Sequence, residues 1–280
     1  MNFLITGAGG QVGQELQRLL PQANALTHSQ LDISNVLAVQ NAVQTIQPQI
    51  IINAAAYTAV DKAEEESEKA HLINHIGAKN LAIAAQQQNA ILLHISTDYV
   101  FDGKKTEPYS ETDASNPQSV YGKSKLLGEQ AILAHCEKAM ILRTAWVFGR
   151  YGKNFVKTML SLGKTHGHLR IVADQFSSPT EAQDIANALI CMAKNPQFGI
   201  YHYSGMPYVS WFEFAQKIFQ AAHNQGILHA PQLEAISSEE YPTQAKRPKN
   251  SRLNLEKINN AFGIEACDWQ QHLQDLRKYL

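Results

Sequence analysis

The chain has 280 residues, 44% of them hydrophobic and 18% charged, and its 24 basic and 25 acidic side chains leave a formal net charge of −1. That balance speaks against a nucleic-acid binder or a protein held on a membrane by charge, and no apolar run is long enough to span a bilayer. The three cysteines, Cys136, Cys191 and Cys267, are widely spaced with no C-x-x-C pair, which argues against a disulfide framework or a zinc site and predicts a reducing, cytoplasmic setting.

The N-terminus carries neither a basic region nor a small-residue cleavage site, so no signal peptide is expected. Asn2–Thr6 reads as a buried strand, Gln11–Leu20 as a helix with Val12, Leu16, Leu19 and Leu20 inward, and Ala23–Leu26 as a second strand. Ser34 is the expected N-cap of a helix running to Ile46. Gln49–Asn53 is a third strand, Ala70–Gln88 a helix and Ala90–Ser96 a fourth strand. A loop over Gly103–Gln118 precedes a helix over Tyr121–His135 and a fifth strand over Met140–Arg143. Apolar strands alternating with helices predict an α/β fold with a doubly wound parallel sheet of Rossmann type. The second half is less regular. Leu169–Val172 reads as a strand, and Glu181–Met192 and Trp211–His223 as helices. Gln232–Asn250 reads as an extended polar loop, with closing helices over Leu255–Phe262 and Trp269–Tyr279.

The run Thr6-Gly7-Ala8-Gly9-Gly10-Gln11-Val12-Gly13 lies between the first strand and the first helix. Glycines there permit a tight turn and close approach of backbone to phosphate, and the helix end offers free N–H groups to a pyrophosphate. Gly7, Gly10 and Gly13 set this geometry, and Gly7, Gly9, Gly10, Gln11 and Val12 are the expected cofactor-binding residues of the loop. The second strand ends in Leu26-Thr27-His28-Ser29, with no acid to repel a 2′-phosphate. NADPH is the expected cofactor on that ground, with NADH left open. Asp32 and Ile33 follow and are candidates to edge the adenine, although Asp32 also suits a carboxylate at a helix start. Ala54, Ala55 and Ala56, after the third strand, are small enough for a cofactor to lie against their backbone.

The fourth strand runs into Ser96-Thr97-Asp98-Tyr99, and the next helix carries Tyr121 and Lys125 one turn apart. That spacing puts both side chains on one helix face. A nearby ammonium favours the phenolate, so Lys125 is expected to lower the Tyr121 pKa and make it a usable proton donor to a carbonyl oxygen. Thr97 could bond the same oxygen. A Tyr–Lys pair at this spacing arises readily by chance; its place after Thr97, in a chain that opens with a glycine loop, gives it weight.

These motifs together resemble the extended short-chain dehydrogenase/reductase superfamily and, within it, the dTDP-4-dehydrorhamnose reductase family. The resemblance runs nearly end to end, through Asn53 to Glu64, Ser96 to Gly103, Arg143 to Gly149, Asp174-Gln175, Ser178 to Thr180 and Arg247 to Leu253. It implies a Rossmann domain over residues 1–150 and a smaller, mixed substrate domain over 151–280, with about 181–200 returning to the first. It implies reduction of the C4 ketone of dTDP-4-dehydro-L-rhamnose, with Thr97, Tyr121 and Lys125 catalytic and Lys125 also on the nicotinamide ribose. Thr58, Val60, Thr97, Asp98, Tyr99, Trp146, Arg247 and Arg252 are then the implied substrate contacts. Some relatives are expected to form dimers bridged by a metal held by glutamates. The aligned positions here are Glu15, Gln183 and Gln270, and an amide is a poor ligand for a hard cation. A metal-bridged dimer is therefore not expected and no residue is assigned to a metal, with Mg²⁺ left open as a disfavoured cofactor and monomer or homodimer also open. Two alternatives remain: a related nucleotide-sugar 4-ketoreductase giving another 6-deoxysugar, and a non-catalytic regulatory subunit of the methionine adenosyltransferase type.

Overall fold

The computed structural model describes residues 1–280. The first half runs β1 (Phe3–Thr6), α1 (Gln11–Leu19), β2 (Asn24–Leu26), α2 (Val36–Ile46), β3 (Ile50–Asn53), α3 (Ser67–His71), a π-wound turn (Leu72–Gly77), α4 (Ala78–Gln88), β4 (Ile91–Thr97), α5 (Val120–His135) and β5 (Ala139–Thr144). The second half runs β6 (Val147–Phe148), α6 (Phe155–Thr165), β7 (His168–Val172), β8 (Phe176–Ser177), β9 (Thr180–Glu181), α7 (Ala182–Lys194), β10 (Gly199–His202), β11 (Gly205–Met206), β12 (Val209–Ser210), α8 (Trp211–Asn224), β13 (Gln232–Ile236), α9 (Glu256–Phe262), β14 (Cys267–Asp268) and α10 (Trp269–His272).

Six strands form one parallel sheet in the order β10-β5-β4-β3-β1-β2, the doubly wound arrangement expected from the alternation. The chain reverses its direction of travel across the sheet after β2, so the crevice at the carboxyl ends of β1 and β3 is the expected ligand site. Alternate residues of the buried strands face opposite layers. Ile5, Ile52, Leu93 and Leu142 join one core with Val12 and Leu16 of α1 and Ile185 and Leu189 of α7. Leu4, Ile51, Leu92 and Ile141 join the other with Val39, Leu81 and Ile132. The first core also contains Phe214, Trp269 and Tyr279 from the second half.

Four local expectations need correction. The N-cap of α2 is Asn35, whose side chain accepts the Ala38 N–H; the Ser34 hydroxyl donates instead to Asp32. The helix expected from Ala70 starts at Ser67 and carries a π turn before α4. Gln232–Ile236, read as loop from its polarity, pairs parallel with β7 as a largely solvent-facing strand, β13. The closing helix over Trp269–Tyr279 is broken after His272: the Gln225 amide donates to the Leu273 carbonyl at 2.7 Å and accepts from the Leu276 N–H at 2.9 Å, replacing the helical bonds. Trp269, Leu276 and Tyr279 thereby all reach the core. His272 is pinned to Asp184 of α7 at 2.6 Å.

At the three aligned metal positions, Glu15 is fully buried and its carboxylate already faces the guanidinium groups of Arg18 at 2.8 Å and Arg150 at 3.1 Å. No helix is long and apolar enough to cross a membrane.

Candidate active site

Gly7 adopts φ +71°, and a Cβ built on it would lie 2.4 Å from the Ala55 nitrogen, so only glycine lets the first loop cross Ala54 and Ala55 this closely. The loop closes with the Gly10 N–H on the Gly7 carbonyl at 3.0 Å. Gly10 caps α1 without any side-chain bond, leaving the first-turn N–H groups to an anion. Gly9 faces open space. This cradle fits a dinucleotide pyrophosphate. Val12 is buried in the core, so its N–H rather than its side chain is what it can offer. The Gln11 amide accepts from Asn154 at 3.0 Å and joins the loop to the start of α6.

Asp32 accepts both the Ser34 N–H at 2.9 Å and its hydroxyl at 2.7 Å. The Ser34 hydroxyl holds the carboxyl below its ordinary range. Ile33 is buried and packs where a Cβ on Gly77 would collide with it. Asp32 thus has a turn-forming role and Ile33 a packing role in this structure. The loop after β2 bonds internally through Thr27, Ser29 and Gln30 and presents no acid.

At the end of β4, Thr97 is buried. Its oxygen accepts the Tyr99 N–H at 3.2 Å and its hydroxyl donates to Asp98 at 3.1 Å. Ser119 caps α5 through the Gly122 N–H. A Cβ on Gly122 would lie 2.3 Å from the Tyr99 carbonyl oxygen, so the helix can seat against this turn only with glycine there. That seating sets the Tyr121 hydroxyl beside Thr97 and its ring edge-on to Tyr99, with centroids 5.6 Å apart. Tyr57, Ala63, Ala70 and Tyr121 form one buried cluster, with Val60 packed against it; Thr58 beside them is exposed.

Arg247 reaches back across the sequence to this group. It donates to the Tyr99 hydroxyl at 3.0 Å and to Asp61 at 2.7 Å. Arg252 does not join it: its guanidinium donates to Asn250 at 2.8 Å and to the Thr106 carbonyl, and lies over the Tyr208 ring. Trp146 sits beyond β5 at φ +43°, a conformation unusual for a bulky residue. It stacks on Trp211 at 3.4 Å between ring centroids, and Phe155 backs Trp211 at 4.6 Å.

Burial sets the electrostatics. It pushes Asp98 up to about 6, a rise opposed by hydrogen bonds from Ser251, Thr97 and Ser177. Burial also raises Tyr99 to about 12 and carries Tyr121 higher still, while bringing Lys125 down to about 8. The expected lowering of the Tyr121 pKa by Lys125 is absent from this geometry. The Lys125 amine is turned away, with its nitrogen 2.7 Å from the Ile95 carbonyl oxygen and 3.2 Å from His94 Nε2. Sequence reading also passed over His94, Asn53, Asp61 and Trp211. Asn53 and Asp61 lie inside the Asn53 to Glu64 segment, and only side-chain orientation shows what they do.

A doubly wound sheet with a glycine cradle after β1 and a Thr–Tyr–Lys set on β4 and α5 defines an extended short-chain dehydrogenase/reductase. The chain matches the RmlD substrate binding domain family over residues 1–280. It is 49% identical over 289 residues to a dTDP-4-dehydrorhamnose reductase of Aggregatibacter actinomycetemcomitans, covering 99% of this chain and 98% of that one. A dTDP-4-dehydrorhamnose reductase structure from Clostridium acetobutylicum ATCC 824 matches at TM-score 0.93 and 43% identity, over 98% of this chain and 97% of the other. A dTDP-4-dehydrorhamnose reductase structure from Bacillus anthracis str. Ames, in complex with NADP, matches at 0.92 and 41%, over 98% of each. The chain belongs to this family of oxidoreductases.

Proposed function

We propose that this protein reduces the C4 ketone of dTDP-4-dehydro-L-rhamnose to the alcohol of dTDP-L-rhamnose. The observation that carries the reading is the meeting of Thr97, Asp98, Tyr99, Tyr121 and Arg247 beside the carboxyl ends of the strands that carry the glycine cradle. The cradle around Gly7, with Gly9, Gly10, Gln11 and Val12 and the backbone of Ala54 to Ala56, would hold the cofactor. NADPH is the preferred form because no acid stands after β2. A bound reduced nicotinamide supplies the hydride.

The remaining work falls to side chains. Burial keeps the Tyr121 phenol protonated through the neutral range, so a proton is loaded for the ketone oxygen. The proton passes from the Tyr121 hydroxyl to that oxygen as its carbon becomes an alcohol carbon, and a charged Lys125 would stabilise the phenolate left behind. Thr97 orients the oxygen. Arg247, held by Asp61 and Tyr99, offers a preset fork to the nucleotide diphosphate. Trp146, fixed by Trp211, makes an aromatic wall for the sugar. Val60 packs against the Tyr121 cluster, exposed Thr58 would offer its hydroxyl to the substrate, and Arg252 would have to leave Asn250 to take part. The cytoplasm suits this reading, since all three cysteines are free and two are buried.

Incubation with NADPH and dTDP-4-dehydro-L-rhamnose should consume cofactor and yield dTDP-L-rhamnose by NMR. Failure to consume cofactor would defeat the reading, and a talose product would replace it with the epimeric reductase.

A further inference from the structure

Thr6, Asn53 and His94 stand side by side across β1, β3 and β4, paired in register. All three are buried. The Asn53 carboxamide oxygen accepts the Thr6 hydroxyl at 2.8 Å and the Ala55 backbone N–H at 3.0 Å. The Ala55 N–H cannot become an acceptor, so it fixes which end of the carboxamide faces which neighbour. The Asn53 NH₂ group must then point at His94 Nδ1, 2.9 Å away. His94 Nδ1 is thus an acceptor.

His94 is neutral, because burial pushes its pKa well below the ordinary value. A neutral imidazole that accepts at Nδ1 carries its proton on Nε2. That N–H faces the Lys125 nitrogen at 3.2 Å. An ammonium has no lone pair to receive it, whereas a neutral amine does. The amine keeps its own N–H for the Ile95 carbonyl oxygen at 2.7 Å.

Building on the reductase reading, we infer that Asn53 and His94 are positioning residues that hold Lys125 as a neutral amine against β4, and that protonation of Lys125 releases it toward Tyr121. The direction of the chain is set at the Ala55 N–H, beside the cofactor cradle. Protonated Lys125 would place two donors face to face at His94, and the contact breaks. The charge can then assist Tyr121, one helical turn away.

The other charged and titratable groups near Lys125 are consistent with this. Glu129 follows one turn later on α5 and favours the charged amine, but its two oxygens are held by Arg143 of β5 and one also by the Ser96 hydroxyl of β4. Asp98 and Tyr99 on the turn after β4 face Tyr121. From the segments packed on the outer side of α5, Asn74 reaches Ser124 and Glu64 accepts the Val120 N–H. Burial brings Lys125 into range, to about 8. Activity should therefore fall as pH rises through about 8, where the charged form is lost.

The test is a pH titration of cofactor-free protein carrying ¹⁵N-histidine and ¹³C,¹⁵N-lysine, with Lys125→Met giving the lysine assignment. The expected result is a His94 imidazole with its proton on Nε2, and a Lys125 resonance titrating near pH 8 with the His94 Nε2 signal moving at the same midpoint. A proton on Nδ1, or a Lys125 that stays charged to about pH 10 as a free lysine does, would overturn the inference. In His94→Gln the carboxamide can turn its oxygen to an ammonium, so the midpoint should rise by about one pH unit and the alkaline limb of kcat/KM should move with it. A limb that stays put while the midpoint moves would also overturn it. Absence of any sugar reduction would defeat the reductase reading alone, because the wild-type titration reads the hydrogen-bond chain without turnover.

Discussion

Tyr121, Lys125 and Glu129 form one stripe on α5, all buried, yet the two ends of the stripe are built differently. Glu129 meets a complete counterion: Arg143 bonds it through two nitrogens, at 2.9 and 2.6 Å, and Ser96 adds a third bond at 2.5 Å. Tyr121 and Lys125 have no ion-pair partner: Thr97 and Tyr99 lie beside the first, and His94 and the Ile95 carbonyl hold the second. Burial is comparable along the stripe, so burial alone does not mark a reactive group. A buried charge with its own counterion is part of the architecture. A buried ionisable group without one is held away from its ordinary pKa and left able to exchange a proton.

The strongest way to break this comparison is to make each end fail in the other's manner. Tyr121→Phe should lower turnover roughly 100- to 10,000-fold, with NADPH binding by fluorescence and the unfolding midpoint close to wild type. Arg143→Met should do the reverse in kind. It leaves Glu129 unpaired, and denaturant unfolding should show a loss of about 3–5 kcal/mol; a loss below 1 kcal/mol would mean that the pair is not structural. Arg247→Met should raise KM for the dTDP-sugar about 10- to 100-fold, the range of a charge-assisted bond, with a smaller change in kcat. An unchanged KM would remove Arg247 from the diphosphate site.

A pH-dependent effect belongs to Asp98. Burial raises its folded-state pKa to about 6 from the unfolded value near 3.8. The native state then binds the proton more tightly, so this contribution to stability is fully present below about pH 3.8 and is lost as pH rises through about 6. Compared with Asp98→Asn, wild type should therefore lose up to about 3 kcal/mol between pH 4 and pH 7, seen as converging urea midpoints on acidification. Parallel midpoints across that range would mean that Asp98 is solvated like a surface carboxylate.

Much of this architecture was legible in the residues. Continuous apolar strands such as Ile50–Asn53 and the glycine run after Thr6 carry their structural meaning locally, and the sheet follows from them. What was not legible depends on register or on distance along the chain. Gln232–Ile236 is polar because it lies at a solvent-facing position beside β7, and polarity hides its strand character. The break after His272 depends on Gln225, which no local pattern connects to it. At the candidate site, the nearness of Tyr121 to Thr97 follows from a helix that succeeds the fourth strand, but the direction in which Lys125 points was not legible. That direction depends on His94 and Asn53, which become neighbours only once β3 and β4 are paired.

The core that runs unbroken from Phe3 and Ile5 through Phe148 to Phe214, Trp269 and Tyr279 has a consequence for ligand binding. Swinging the second half of the molecule against the first would tear apart apolar surface that is already dry. The cleft is therefore shaped before the sugar nucleotide arrives, and little further apolar surface is left to bury on closing. Calorimetry of nucleotide binding should accordingly give a small heat-capacity change, the signature of a rigid receptor rather than a hinged one.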